Sequence, residues 1–375
     1  MRVFRETTRY SRLAVQILAV TVILFWGGNV RAACQLYVNG GGTPEPLSIE
    51  PLNGVISAPP DLPVGTILYR GVLQSPQPNI GVQCDQKGQF YYSTSLTSAL
   101  GVTGYTAGIP PFSNIPGNMP VYKTNLPGVG AAVNTTDLLA SSGCVDEIAC
   151  YRVEPTTALN LRIYLVKTGD ITPGIINGGQ LPVYSYMLGQ SGQQVSIVTR
   201  QFSGQVTITV PTCTTPDVEV NMGTWKVNQF TGKGSATDWR DSSLVLSNCP
   251  SFYGYGASHT TSYGTEITYS PAATLNSWAL NLSPQNGTVD SAKGIMAIDN
   301  TVQNAASGVG IQLGYGTVTS AASSLVDFAV QKTGAIPSTG INSITIPLAA
   351  RYIQTEDRVT PGRADGKVIF TISYK

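Results

Sequence analysis

An alternation of apolar and polar residues with a period of two is the feature that most constrains the fold of this 375-residue chain. It runs through residues 159–165, 206–210, 218–222, 344–352 and 368–374. Successive side chains of a strand point to opposite faces of its sheet, so each segment is expected to be a half-buried strand. Clusters of Gly, Pro, Asn and Ser separate these segments. The pattern predicts an all-β fold made of two β-sandwich domains in tandem.

The small number of ionisable side chains excludes several classes of function. Charged residues make up 11% of the chain, the formal net charge is +1, and His259 is the single histidine. The near-zero charge gives no basic surface for nucleic acid, and one histidine cannot build a multi-histidine zinc site. The Gly, Tyr, Ser and Thr residues around His259 favour a turn there. We expect a protein that is not an enzyme and that uses no metal or cofactor.

Residues 1–32 have the pattern of a secretory signal peptide. Four arginines precede an apolar run over residues 13–26, and small residues follow as far as Ala33. A membrane anchor is the alternative, but this run has 14 residues, whereas about 20 are needed to span a bilayer. A lipoprotein signal is disfavoured because Arg31 stands where an aliphatic residue would be required. We expect an exported chain from which residues 1–32 are removed.

Six cysteines fit an exported chain that is stabilised by disulfides. They are Cys34, Cys84, Cys144, Cys150, Cys213 and Cys249. Many pairings are possible, and sequential pairing is favoured because the cysteines cluster along the chain, which keeps each bridge within one domain. Metal ligation is the alternative, and it is disfavoured because no two cysteines have the CxxC spacing of zinc sites.

A domain boundary is expected close to residue 211. The alternating segment 206–210 runs into Pro211 and Pro216, and Cys213 between them opens a new disulfide. We therefore predict an N-terminal domain over residues 33–211 and a C-terminal domain over residues 212–375.

The C-terminal sequence carries the most specific motif of the chain. Residues 346–355 read IPLAARYIQT and residues 359–375 read VTPGRADGKVIFTISYK, with Gly362 before the last strand and Tyr374 in the penultimate position. This pattern strongly resembles the end of chaperone–usher fimbrial subunits, and the resemblance extends over residues 206–375.

The resemblance implies an immunoglobulin-like sandwich that lacks its last strand. In such subunits a periplasmic chaperone lends a strand to the open groove, and the donor strand of an adjacent fimbrial subunit replaces it at the outer-membrane usher. The resemblance assigns contact with the chaperone to six residues, the last through its carboxylate: Gly362, Val368, Phe370, Ile372, Tyr374 and Lys375.

The N-terminal half resembles the receptor-binding domain of two-domain fimbrial tip adhesins, such as the mannose-binding adhesins of type 1 fimbriae. Cys34 follows the predicted cleavage site almost directly, which leaves no donor strand for a neighbour and implies a place at the fibre tip. The resemblance predicts an immunoglobulin-like or jelly-roll sandwich. The mannose-binding pocket has an aromatic N-terminal residue and an Asn-Asp pair after the second cysteine, whereas this chain has Ala33 and Asp85-Gln86.

Several side chains are candidates for contact with a ligand. A carboxylate and an amide can hydrogen-bond sugar hydroxyls, and tyrosines offer flat apolar faces with a polar tip. The candidates are Asp85, Gln86, Tyr91, Tyr92, Tyr105 and Tyr122. The alternative is that Asp85 and Gln86 form a polar turn and that one of the consecutive tyrosines is a core residue.

These features predict a fimbrial tip adhesin that is exported through the periplasm to the cell surface. Its N-terminal domain would bind a host glycan or an extracellular-matrix protein. The alternative is a structural or initiating tip subunit that binds no receptor.

Overall fold

The computed structural model describes residues 34–38, 47–74, 80–134, 144–151, 161–262, 265–270, 274–338 and 341–375. Within these ranges the chain forms 25 strands and no α-helix. It also forms three single-turn 3₁₀ helices, Gly178–Gln180, Val227–Gln229 and Ala321–Ser323. No helix of the described residues is long and apolar enough to cross a membrane. The all-β prediction is confirmed, and the predicted signal peptide lies outside the described residues.

Thirteen strands belong to the N-terminal half. They are β1 Cys34–Val38, β2 Leu47–Ser57, β3 Ile67–Gln74, β4 Ile80–Gly88, β5 Phe90–Thr97, β6 Val102–Thr106, β7 Pro120–Lys123, β8 Val129–Asn134, β9 Glu147–Tyr151, β10 Leu161–Lys167, β11 Gly174–Asn177, β12 Val183–Gln190 and β13 Gln193–Thr209. One sheet has the order β1-β4-β9, and a second has the order β11-β13-β12-β5 with β2 parallel to β13. A third contains the order β3-β10-β8-β7-β6.

Twelve strands follow in the C-terminal half. They are β14 Arg240–Asp241, β15 Leu244–Ser247, β16 Ala257–Ser262, β17 Thr265–Ser270, β18 Ser277–Pro284, β19 Thr288–Asp290, β20 Ile295–Ala297, β21 Val309–Tyr315, β22 Lys332–Ala335, β23 Ser343–Ile346, β24 Leu348–Gln354 and β25 Val368–Tyr374. Three sheets, β14-β24-β21-β20-β19, β15-β23 and β22-β18-β25, surround the C-terminal core.

Two large buried clusters correspond to the two halves of the chain. The N-terminal cluster contains Phe90, Leu165 and Ile208, and the C-terminal cluster contains Leu280 and Leu313. These clusters fit two packed β-domains, and the boundary at residue 211 stays a prediction.

The strand pattern departs from the sequence expectation at two segments. β10 is buried on both faces, because Leu165 packs in the large N-terminal cluster while Tyr164 and Val166 join a second cluster that includes Phe112. Residues 218–222 form no strand and are mostly exposed. The prediction of a half-buried strand is therefore wrong for both segments, since alternation alone does not tell which faces find a partner.

Three disulfides join the cysteines in sequential order, as predicted. Cys34 bonds to Cys84 between directly paired positions of β1 and β4, Cys144 bonds to Cys150, and Cys213 bonds to Cys249. Each bridge stays within one half of the chain.

A two-stranded ribbon from the C-terminal half completes a sheet of the N-terminal half. β16 pairs in parallel with β3, and β17 pairs with β16, so the third sheet has seven strands in the order β17-β16-β3-β10-β8-β7-β6. The Gly256 N–H donates to the carbonyl of Leu68 at 2.7 Å. His259 lies within β16, buried against the ring of Tyr69 with 5.4 Å between ring centroids. The expected turn at His259 is wrong, because the strand partner comes from a distant part of the chain.

Candidate functional site

A groove runs along the C-terminal domain between β25 and the irregular segment 217–223. Its volume is about 710 Å³. Its floor is formed by apolar side chains from several strands, namely Leu244, Leu282, Met296, Ile311, Leu313, Leu348 and Ala350. Residues 364–368 and Phe370 also line the groove. The groove therefore has an apolar floor and lies beside a strand, with polar and charged residues such as Asp217, Glu219 and Lys367 also lining it.

Strand β25 has a strand neighbour on one side only among the described residues. Lys375 and Ser277 exchange two backbone hydrogen bonds, of 2.8 and 2.6 Å, which fixes the alternation along the β25–β18 ladder. The backbone N–H and C=O groups of Val368, Phe370 and Ile372 consequently point away from β18. Such a row of outward groups is a template for another strand.

The side chains of β25 alternate as the sequence predicts. Val368, Phe370 and Ile372 pack partly against the C-terminal core, and Tyr374 is buried. The side chain of Ile369, which lies between them, is 53% exposed. The apolar face of β25 and its outward backbone groups thus belong to the same residues.

Tyr374 anchors the end of β25 in the core. Its ring packs against Phe252 with 5.7 Å between centroids, and its Oη accepts a hydrogen bond of 3.3 Å from the Cys213 N–H. Burial raises the pKa of the Tyr374 phenol, so the side chain stays neutral near pH 7. Lys375 continues the pairing with β18 through its backbone.

Gly362 lies outside β25, in the loop that leads to it. A Cβ atom at this position would come within 2.4 Å of the Ala306 backbone nitrogen and the Asn304 carbonyl oxygen. The next residue, Arg363, pairs with Ala306 through a backbone bond of 2.7 Å. Glycine is required here by the close approach of two backbones, which holds the loop at the groove.

The predicted ligand contacts are distributed over three sheets. Asp85 and Gln86 lie on β4, Tyr91 and Tyr92 on β5, and Tyr105 and Tyr122 on β6 and β7. Tyr92 stacks on Tyr186 with 5.4 Å between centroids, and Tyr105 packs against Phe112 at 5.0 Å. The six side chains therefore do not form a single cluster.

Three of them lie close to the turn between β12 and β13. Asp85 and Gln86 are exposed, and the Tyr91 side chain is 50% exposed. Gln190 donates to the Gln86 carbonyl at 2.7 Å, and Gln194 donates to the Tyr91 carbonyl at 2.9 Å. These two glutamines flank the turn between β12 and β13, and sequence reasoning missed them because only the strand pairing brings them to residues 85–91.

The Cys144–Cys150 loop lies beside residues 85–91. The Phe90 N–H donates to the Cys144 carbonyl at 3.2 Å, and Lys87 lies 3.9 Å from Asp146. Val145 is 62% exposed although it is apolar. We call residues 85–91 together with residues 144–150 the disulfide-loop surface.

Across the described parts of the chain, no group of three or more His, Cys, Asp and Glu side chains is arranged to hold a metal ion.

Comparison with known proteins identifies relatives of both halves. Residues 200–375 match the family model described as Fimbrial protein. A curated relative, "Fimbria adhesin protein" of Klebsiella pneumoniae, is 24% identical over 332 residues, which cover 86% of this chain and 89% of the relative.

The similar solved structures include two adhesins. The CupB6 tip adhesin from Pseudomonas aeruginosa is 13% identical and covers 91% of this chain and 94% of its own, with a TM-score of 0.33. The receptor binding domain of the plasmid-born adhesin MrkD1P of Klebsiella pneumoniae is 18% identical and covers 48% of this chain and 99% of its own, with a TM-score of 0.28.

Proposed function

We propose that this chain is a fimbrial tip adhesin assembled by strand addition, because residues 200–375 match the Fimbrial protein family model and a fimbria adhesin is similar over most of its length. The observation that carries the proposal is the groove with an apolar floor beside the outward edge of β25. Its partners are a periplasmic chaperone, the outer-membrane usher and the donor strand of the adjacent subunit. No enzymatic activity is part of the proposal.

The geometry supports an extended peptide as the occupant of the groove. An added strand pairs with the outward backbone groups of Val368, Phe370 and Ile372. Its alternate side chains then face the groove floor and cover Leu313 and Leu348. Burying one aliphatic or aromatic side chain contributes about 1.5–3 kcal/mol, so a few such contacts hold a strand firmly.

The assembly proposal is tested by charge substitutions on the two faces of β25. Phe370→Asp places a carboxylate in the apolar groove, and the expected result is a loss of at least tenfold in the chain recovered with a co-expressed periplasmic chaperone. Ile369→Asp is the matched control on the exposed face, with an expected change of less than twofold. Circular dichroism of the recovered chains checks that both fold.

Equal recovery of the two variants would contradict strand addition at β25. If Phe370→Asp does not fold, Phe370→Ala replaces it, since truncation removes groove contact without burying a charge.

We further propose that the disulfide-loop surface binds the host ligand, a glycan or a matrix protein. It combines the exposed Asp85 carboxylate, the Gln86 amide and the half-exposed Tyr91 ring, which are groups that recognise sugars and proteins. The disulfide and the glutamine contacts hold this surface in place, and a preorganised surface loses less entropy on binding.

Binding of the oxidised full chain to arrays of glycans and matrix proteins tests this part. Tyr91→Ala is expected to weaken binding at least tenfold, because it removes the largest exposed apolar face of the surface. Tyr105→Ala, on β6, is the control and is expected to change binding less than twofold. An equal loss in both variants would contradict the location, and no binding by the folded chain would favour the structural or initiating tip subunit.

A further inference from the structure

We call the outward edge of β25 the assembly edge. A residue of the N-terminal half is hydrogen-bonded to the last outward N–H group of this edge. The backbone N–H of Tyr374 donates a hydrogen bond of 2.9 Å to Oδ2 of Asp61. Asp61 lies in the loop between β2 and β3, 313 residues earlier in the chain. The contact therefore joins the two halves of the molecule at β25.

The position of this contact along β25 is specific. Tyr374 is the last residue of the strand whose backbone points away from β18, after Val368, Phe370 and Ile372. Asp61 thus occupies the place where a carbonyl group of an added strand would accept the same N–H. Two acceptors cannot share this donor without a loss of hydrogen-bond strength, and the carboxylate also repels a carbonyl oxygen.

The loop that carries Asp61 is fixed by contacts on both sides. Nζ of the buried Lys167 donates to the Pro60 carbonyl at 2.6 Å, and the Leu62 side chain is buried. Burial lowers the pKa of Lys167, against the opposing attraction of Asp170 and Asp61. Before Asp61, the Ala58 N–H donates to Thr209 of β13 at 2.8 Å. These contacts fix the loop and therefore hold Asp61 next to Tyr374.

The two halves also meet beside this contact. The Ser57 N–H donates to the Gly254 carbonyl at 2.9 Å, and the Tyr253 N–H donates to Oγ of Ser57 at 2.8 Å. The Asn276 side chain, which is buried, accepts from the Gly254 N–H at 2.9 Å. Release of Asp61 alone therefore leaves the halves joined.

We propose that Asp61 is the end stop of the assembly edge. A strand added along β25 pairs with Val368, Phe370 and Ile372 and ends before Tyr374, and a partner strand that extends further must displace Asp61. The inference rests on the proposed strand addition, and it adds a residue of the adhesin half that sets how far the partner strand reaches.

Amide hydrogen exchange of the full oxidised chain, with ¹⁵N-labelled Tyr and Phe, tests the end stop. In the peptide-free chain, Asp61→Ala is expected to accelerate exchange of the Tyr374 amide at least tenfold and to leave the Phe370 amide unchanged. Asp61→Asn is expected to retain most of the protection, because its amide oxygen still accepts. Asp170→Ala removes the other carboxylate near Lys167 and is expected to change neither amide.

A capped nine-residue peptide of alternating Val and Thr serves as the added strand. It is expected to slow exchange of the Phe370 amide in every chain. It is expected to slow exchange of the Tyr374 amide, relative to the rate without peptide, only in Asp61→Ala. Equal exchange of Tyr374 in wild type and Asp61→Ala overturns the end stop even if Phe370 becomes protected. If the peptide does not protect the Phe370 amide in any chain, strand addition by this peptide is overturned. The end stop is then overturned too, whatever the exchange rates without peptide are.

Discussion

The two halves of this chain share one sequence pattern and use it differently. In the N-terminal half, β10 is covered on both faces and β3 gains β16 as a neighbour from the C-terminal half. In the C-terminal half, β25 keeps an outward edge beside an apolar groove. The difference indicates that the supply of neighbouring strands, and not a period of two alone, decides whether a sheet is covered.

The largest loss of stability is expected at a buried ion pair of the N-terminal half. Arg200 on β13 bonds to Glu50 on β2, and both side chains are 0% exposed. Arg200→Met leaves the Glu50 carboxylate buried without its cation, which costs about 3–5 kcal/mol. We expect the free energy of unfolding of the N-terminal half to fall by this amount. Urea denaturation of the full chain measures it.

The control for this prediction is the exposed pair of Lys293 and Asp290, at 3.1 Å. Lys293→Ala is expected to cost less than about 1 kcal/mol, because solvent screens an exposed pair. A replacement of Glu50 and Arg200 together by Leu and Met is expected to cost less than Arg200→Met alone. Equal losses for the buried and exposed single variants would contradict the burial of the Arg200–Glu50 pair in this half.

A smaller effect is expected at the loop that precedes β25. Gly362→Ala places a methyl group against the backbone of residues 304–306, and overpacking of this kind costs about 1–3 kcal/mol. We expect the C-terminal half to lose that much stability and recovery with the chaperone to fall. The measurement is urea denaturation followed by tryptophan fluorescence, since Trp225, Trp239 and the buried Trp278 all lie in the C-terminal half.

Gly169→Ala is the matched control, since a Cβ at Gly169 meets nothing within 4 Å. Its expected change is within about 0.5 kcal/mol. If Gly362→Ala were as mild as Gly169→Ala, the close approach at residue 362 would not hold the loop at the groove.

Local signals in the sequence predicted part of the fold. The alternating pattern predicted β25 and the last residues of β13. The clustering of the cysteines along the chain predicted the three observed disulfides. The split of residues 344–352 into β23 and β24 at Pro347 follows from the missing N–H of proline.

What the sequence could not show depends on contacts between distant segments. The pairing of β16 with β3 removed the expected turn at His259, and the contact of Asp61 with Tyr374 spans 313 residues. The candidate ligand residues were chosen by residue type, and residue type does not reveal which sheet a tyrosine joins. Their role in binding stays a prediction.

Strand addition at β25 is tested by an experimental structure of the full chain bound to its periplasmic chaperone. We expect a chaperone strand hydrogen-bonded to the backbone of Val368, Phe370 and Ile372, with its alternate side chains on Leu313 and Leu348. A complex in which this edge of β25 and the groove stay unoccupied would contradict assembly by strand addition at β25.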